Sequence, residues 1–571
     1  MPHAVSLITT LAAGFALALL FGFVAMRLGL PALVGYLVAG IAIGPATPGF
    51  VADAAIAAQL AEIGVMLLMF GVGLHFSVDD LLAVRKIALP GAVVQMGVAT
   101  GLGALLALGW DWSWGAALVF GLSLSVASTV VLLKALESRG MTDSADGRIA
   151  IGWLVVEDLA MVLVLVLLPV LAPSLGGAAP SGPERSMGLT VALTLAQVGG
   201  FIAFMLVVGR RLFPWMLWHV AKTGSRELFT LCVVAAAVGI AYASAALFGV
   251  SFALGAFFAG MVLRESEFSQ RAAEDTLPLQ DAFAVLFFVS VGMLFDPMVL
   301  VERPLQVVGT VAIIVLGKSV AATVLVLVLR YPVKTAFTVS ASLAQIGEFS
   351  FILAGLGVVL GLLPREGQSL ILAGALFSMA LNPVVFSAIG PLQRGLLKWP
   401  RLAQRLAPAE NPLKEFPVTT DPRFLSKQVV LVGWGQVGRR IAEVLKTQGI
   451  AFVVADENRE RVEQLRADGI PAVWGDATDP AVLIQAHVRD ARALVIAVPQ
   501  AVQVRTMVQT ARTLNPTIDI AVRVHSAEEA DWWHSERQAT AFVGDRELAR
   551  SMTAHVLGHI RTASEPPVTR N

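Results

Sequence analysis

The sequence predicts a polytopic α-helical membrane protein followed by a separate α/β domain, and three observations carry that prediction. Of the 571 residues, 56% are hydrophobic and only 14% charged, where a soluble chain usually carries about 25% charged residues. Long apolar runs recur from Val5 to about Ile389, while the remainder has ordinary globular composition. That remainder begins by alternating strand and helix, in "KQVVLVGWGQVGRRIAEVL" and then "AFVVADE". The expected organisation is a membrane domain over 1–393, a linker over 394–426, an α/β domain over 427–545 and a tail over 546–571, ending in the disorder-prone "SEPPVTRN".

The formal net charge is zero, and no basic cluster points to nucleic acid. The one cysteine, Cys232, lies in an apolar run, so a disulfide framework is excluded and the soluble part suits a reducing compartment. No charged n-region or A-x-A site marks the N-terminus, so Val5–Ala25 reads as a first span rather than a cleaved signal.

Thirteen candidate spans lie near 5–25, 30–45, 56–74, 87–109, 114–134, 148–172, 188–209, 228–247, 250–263, 279–295, 305–330, 335–360 and 367–390. Some are short, as in "LPALVGYLVAGIAIGP", which suggests helices that tilt or stop inside the bilayer. Loops after odd-numbered spans hold fourteen Lys or Arg, among them Arg85, Lys86, Arg210, Arg211 and Lys222. Loops after even-numbered spans hold three, Arg185, Arg303 and Arg365. The bias predicts a periplasmic N-terminus and a cytoplasmic C-terminal domain.

An internal repeat follows. "LMFGVGLHFS" at 68–77 resembles "FFVSVGMLFD" at 287–296, and "SLSVAST" at 123–129 falls on "SLAQIGE" at 342–348, both at an offset of 219. "VGYLVAGI" at 34–41 matches "LGAFFAGM" at 254–261 at an offset of 220. The offset carries span 5 onto span 12, an odd number of crossings, so the copies are inverted in the membrane. Inverted repeats are typical of secondary transporters, with the substrate site at broken helices near midplane. Span 5 carries Ser123, Ser125, Ser128 and Thr129, and span 12 carries Ser340, Ser342, Gln345, Gly347, Glu348 and Ser350. Such residues can re-satisfy interrupted backbone and offer oxygens to a dehydrated cation; alternatively they only pack helices closely.

Charges in hydrocarbon cost on the order of 2.5–3.5 kcal/mol each on insertion scales, so Glu157–Asp158 in span 6, Lys318 in span 11 and Glu348 in span 12 stand out. Neighbours on a helix point about 100° apart, so the adjacent carboxylates divide their work. Asp158 is assigned to hold the exchanged H⁺ or monovalent cation, and Glu157 to pair with Lys318. Competition at Asp158 would by itself give antiport. The bland alternative is a fixed ion pair that only holds helices together, and the role of Glu348 is open.

In the C-terminal domain, Gly433, Trp434, Gly435, Gln436, Val437 and Gly438 form a G-x-G-x-x-G turn between strand and helix, and Asp456 ends the next strand 18 residues after Gly438. In this context the pattern is a dinucleotide-binding fingerprint and predicts a Rossmann-like fold. Asp456 is expected at the ribose and Asp476 near the adenosine, with Glu457 and Ala477 also expected among the nucleotide-binding residues. A sensor needs only this domain and a linker; an oxidoreductase would need a catalytic domain beside it. The chain therefore reads as no enzyme.

The motifs "GWLVVEDLAMVLVLVLLP", "LAQIGEFSFIL" and "LFFVSVGMLFDP" make the membrane half resemble the Kef-type branch of the monovalent cation:proton antiporter-2 family. The domain behind it is similar to the TrkA-N (RCK N-terminal) domains such proteins carry. The resemblance implies a sodium/proton-antiporter-like fold with crossed broken helices, an elevator-like core, homodimers, and NAD(H) or AMP/ATP as regulatory ligand. Glutathione-gated members have Gln before the transport Asp and a His-containing acidic loop before span 10. Here Glu157 and the His-free "SQRAAEDTLPLQ" stand there, which argues against glutathione gating. The expected function is exchange of K⁺ (or Na⁺) for H⁺ across the inner membrane; the alternative is a nucleotide-gated K⁺ efflux channel.

Overall fold

The runs that hydropathy marks out all fold as helix in the computed structural model: α1 (His3–Arg27), α2 (Ala32–Ile43), α3 (Ala54–His75), α4 (Val78–Leu108), α5 (Trp114–Ser125), α6 (Thr129–Glu137), α7 (Ala145–Leu171), α8 (Met187–Phe204) and α9 (Arg210–Ala221). There follow α10 (Arg226–Phe248), α11 (Phe252–Arg264), α12 (Ser269–Met293), the short α13 (Val299–Glu302), α14 (Pro304–Ala312), α15 (Lys318–Val328), α16 (Val333–Leu343), α17 (Glu348–Val359) and α18 (Arg365–Leu397). π-helical turns at Met205–Gly209 and Ile313–Gly317 join α8 to α9 and α14 to α15. The structure describes residues 3–48, 51–75, 78–139, 141–142, 144–177, 187–264, 266, 268–397, 421–498, 501–524, 526–536 and 538–563. Most of the expected linker, Arg185 and "SEPPVTRN" lie outside them. The chain divides into two units, Met1–Ala407 and Pro408–Asn571.

Among the described residues ten helical passes are long and apolar enough to cross a membrane, or eleven if the bent pair α16–α17 is one span, and α2 and α11 are shorter apolar helices. The thirteen expected runs each fall on one of these. The count of thirteen therefore depends on two helices of 12 and 13 residues. At 1.5 Å per residue they reach only about 18–20 Å of a hydrocarbon core about 30 Å thick.

The breaks fall where the repeat places them. Residues 126–128 separate α5 from α6, and residues 344–347 separate α16 from α17, with a 44° bend. Glycine contacts carry the same symmetry. A methyl group on Gly40 would lie 2.8 Å from Gly292 Cα, and one on Gly260 would lie 3.0 Å from Gly73 Cα. The offset maps Gly40 onto Gly260 and Gly73 onto Gly292, so each contact is the other with its partners exchanged, as a pseudo-twofold axis in the membrane plane demands.

In the second unit, β1 (Val429–Val432), α19 (Gln436–Thr447), β2 (Phe452–Asp456), α20 (Arg459–Ala467), β3 (Ala472–Trp474), α21 (Pro480–Gln485), β4 (Ala493–Ile496), α22 (Ala501–Leu514), β5 (Asp519–Val524), α23 (Ala527–Glu536) and β6 (Thr540–Val543) alternate, and α24 (Gly544–Ala563) runs from the end of the expected domain into the stretch read as tail. The sheet is wholly parallel in the order β3-β2-β1-β4-β5-β6. All four residues of β1 are buried, as a central strand covered on both faces requires. The strand order reverses between β1 and β4, which puts the ligand crevice of such a fold at their carboxyl ends.

Candidate functional site

Breaking α5–α6 and α16–α17 frees backbone groups in the apolar interior, and side chains from six spans satisfy them. Val126 and Ser128 are extended, so the first N–H groups of α6 have no partner inside their own helix. Ala127 N donates to Glu157 Oε2 at 2.8 Å, Ser128 N to Gln345 Oε1 at 2.9 Å, and Thr129 N to Glu348 Oε1 at 3.3 Å. Ser128 Oγ donates to Glu348 Oε2 at 2.8 Å and accepts from Val131 N at 3.3 Å. In return Gln345 Nε2 donates to Ser128 O at 3.1 Å. The two breaks touch: a Cβ on Gly347 would sit 2.2 Å from Ser128 Cβ, so no side chain fits there. Ser128 and Gly347 are themselves repeat mates, since 347 − 128 = 219.

Asp158 stands apart within this cluster. It is thirteen residues from either end of α7, hence near its middle. Thr129 Oγ1 donates to its Oδ2 at 3.0 Å, while Oδ1 is buried with no hydrogen-bond partner among the described residues. Thr129 thus bridges Asp158 through its hydroxyl and Glu348 through its amide. Glu157, Asp158, Glu348 and Lys318 are all buried. Three carboxylates against one ammonium leave a formal charge of 1 − 3 = −2. Uncompensated charge in low dielectric is costly, so the centre favours uptake of protons or cations.

The direct Glu157–Lys318 pair expected from the sequence is not formed at contact distance. Lys318 Nζ instead donates to Gln345 O at 3.0 Å, a carbonyl freed by the break after α16, and the two charges attract only through space. A freed carbonyl in an apolar interior needs a donor, and a charged one binds it well. Ser125 also differs from expectation. Its hydroxyl turns back to Leu122 O at 2.7 Å, and its carbonyl accepts from Gln95 Nε2 at 3.1 Å. Ser128, Thr129, Gln345 and Glu348 do converge at the crossing. Two contributors escaped a search for charges: Gln95 in α4, and Asn382 in α18, whose Nδ2 donates to Ala341 O at 2.9 Å. Their signal was available, as each is an uncharged amide within an apolar run.

In the second unit, Gly433 takes φ +93° and opens the turn, a conformation glycine adopts without strain. A Cβ on Gly438 would meet Gly433 O at 2.1 Å, so the third glycine allows the helix to pack on the strand. Gly435 caps α19 with no side-chain hydrogen bond, and nothing lies within 4 Å of where its side chain would be. Gln436 and Val437 begin the helix, leaving its positive end and amides directed at the turn. Asp456 is nearly buried; it accepts from Trp434 N at 2.7 Å and Asn458 N at 2.8 Å and pairs with Arg461 Nη1 at 3.2 Å. Trp474 Nε1 fixes the following loop at Glu457 O, 2.9 Å away. An open phosphate cradle with an acid at the second strand fits a dinucleotide or adenosine nucleotide. Asp476 is engaged locally with the amide and hydroxyl of Thr478, and Ala477 is buried.

The model of a family described as sodium/hydrogen exchanger, transmembrane, matches residues 15–390, and that of the TrkA-N domain matches residues 429–540. YbaL of Escherichia coli (strain K12), whose name assigns it to cation/proton antiport, is 51% identical over 555 residues, 97% of each chain. The glutathione-regulated potassium-efflux system protein KefC of Salmonella typhimurium (strain LT2) is 30% identical over 525 residues, 92% of this chain and 80% of that one. The solved structure of the sodium proton antiporter MjNhaP1 from Methanocaldococcus jannaschii, at 15% identity and a TM-score of 0.54, covers 68% of this chain and 100% of that one, a likeness of fold.

Proposed function

The chain belongs to the sodium/hydrogen exchanger family and carries a TrkA-N domain, and from that premise we propose that it exchanges a monovalent cation, K⁺ first and Na⁺ second, for H⁺ across the inner membrane. The supporting observation is the unequal treatment of three carboxylates. Glu157 and Glu348 each accept a backbone N–H from the broken helix, whereas Asp158 accepts only the Thr129 hydroxyl and no backbone donor; Glu157 Oε1 and Asp158 Oδ1 both lack a hydrogen-bond partner among the described residues. The first two are fixed parts of the scaffold; Asp158 is the group whose partner can change.

Exchange follows from the charge. With H⁺ or a cation on Asp158 the centre carries one negative charge fewer than when that carboxylate is bare. On insertion scales a bare charge at midplane costs on the order of 2.5–3.5 kcal/mol, which disfavours reorientation of the empty form by roughly 60- to 300-fold. Only loaded forms then alternate between the two sides, and each return requires the other ion. Thr129 Oγ1 and the carbonyls of the breaks supply further oxygens to a cation beside Asp158. Lys318 and Glu348 hold the half-helix ends in place.

The cytoplasmic domain regulates the exchange by binding NAD(H) or an adenosine nucleotide at Gly433–Gly438 and Asp456, with no chemical turnover. The functional unit is a homodimer with its N-terminus periplasmic. Proteoliposomes with an imposed pH gradient test the proposal: K⁺ or Na⁺ must move stoichiometrically against H⁺. Cation flux without proton movement would instead mean a channel.

A further inference from the structure

The helix after the seventh span carries a surface that ion exchange does not use. Met187–Ala221 runs as α8, a π-helical turn and α9, a continuous 35 residues. At 1.5 Å per residue this is about 52 Å, against a hydrocarbon core of about 30 Å. The run ends on the side with the positive-charge bias, the cytoplasmic side on the reading above, so α9 reaches the headgroup zone.

Its faces are sharply divided. Leu217 is buried, and Phe213, Val220 and Ala221 are half-buried against the protein. Arg211, Leu212, Trp215, Trp218, His219 and Lys222 are exposed, and their spacing puts them on one stripe. Trp215 is 58% exposed and Trp218 46%. Large aromatic rings on a wet surface are unfavourable, but at a membrane–water boundary they place an apolar body and a polar edge in matching surroundings. His219 Nδ1 lies 2.8 Å from Trp215 O, and Lys222 Nζ lies over the Trp218 ring, 3.1 Å from its centre. No acidic residue occurs from Arg210 to Gly224. The nearest acid in sequence is the exposed Glu227, and Asp275 on α12, which packs against α10, is neutralised by Arg226 and Arg271.

We propose that the exposed stripe of α9 binds anionic glycerophospholipid headgroups, with Trp215 and Trp218 seated at headgroup depth and Arg211 and Lys222 pairing with lipid phosphates. Charge selects the occupant: zwitterionic headgroups offer the tryptophans the same boundary but give two cations no net attraction. The site lies far along the chain from Asp158, so it neither requires nor supports the exchange reading.

The test uses the full chain, purified in detergent and stripped of lipid, and measures Tm with dioleoylphosphatidylglycerol or dioleoylphosphatidylcholine added. The wild type should gain several degrees more from the anionic lipid, and R211Q/K222Q should lose at least half of that excess with its phosphatidylcholine Tm unchanged. Equal gains from both lipids, or an undiminished excess in the double variant, would overturn the proposal. Should the double variant fail in phosphatidylcholine as well, K222Q alone carries the same comparison.

Discussion

Two helix starts in this molecule face the same electrostatic problem and solve it in opposite ways. At α6 the unpaired amides are filled from within: Glu157, Gln345 and Glu348 take Ala127, Ser128 and Thr129 in turn. At α19 the cap is Gly435, with no side-chain acceptor and open space beside it. A helix N-terminus attracts negative charge in either case. The difference teaches where a ligand belongs. The internal carboxylates leave no place for a foreign anion at α6 and instead leave Asp158 short of positive charge. The bare start of α19 leaves a place for a phosphate.

Substitutions at either helix start put this contrast to the test. Gly347→Val would press a side chain onto Ser128 Cβ, 2.2 Å from the Cβ position, and separate the crossed breaks. Overpacking of about 1–3 kcal/mol or more is expected, with exchange lost and Tm lowered in a detergent melt. Gly435→Val should close the open cradle at α19 and reduce nucleotide affinity by at least about 100-fold by calorimetry, while exchange persists without its regulation. Persistent nucleotide binding would mean that the glycine turn is not the phosphate site.

Smaller effects separate the fixed carboxylate from the exchanged one. Glu348→Gln keeps the shape but removes the charge facing the start of α6. Loss of charge-assisted bonds worth about 1.5–3 kcal/mol should slow exchange on the order of 10- to 100-fold without abolishing it. Complete loss would promote Glu348 to an ion carrier. Asp456→Asn should weaken nucleotide binding about tenfold and also lower Tm, because that carboxylate takes Trp434 N, Asn458 N and Arg461 within the free domain.

Much of this contrast was legible in the residues. Ser128, Thr129, Gln345 and Glu348 showed themselves because polar groups are rare in apolar runs and because the 219-residue offset paired them. The Gly433–Gly438 turn and Asp456 were legible because a phosphate-binding turn dictates both residue type and spacing. What escaped depends on three-dimensional competition for partners. Lys318 was matched to Glu157 by opposite charge, but the freed Gln345 carbonyl was nearer to hand. Ser125 was counted for its hydroxyl, which its own helix claims. Gln95 and Asn382 carry no charge and so raised no alarm, although each caps a carbonyl at the end of a half-helix. The short α2 and α11 were visible as apolar runs, but a sequence does not say whether 12 or 13 residues cross or stop.

The central claim is that Asp158 alone changes partners while Glu157 and Glu348 stay bonded to backbone. The direct measurement is proton flux driven by a K⁺ or Na⁺ gradient in proteoliposomes holding wild type, Asp158→Asn or Glu157→Gln, each checked for an unaltered melting transition. Asp158→Asn should show no cation-coupled proton movement, and Glu157→Gln should retain it at altered rate. Coupled exchange surviving in Asp158→Asn would contradict the account.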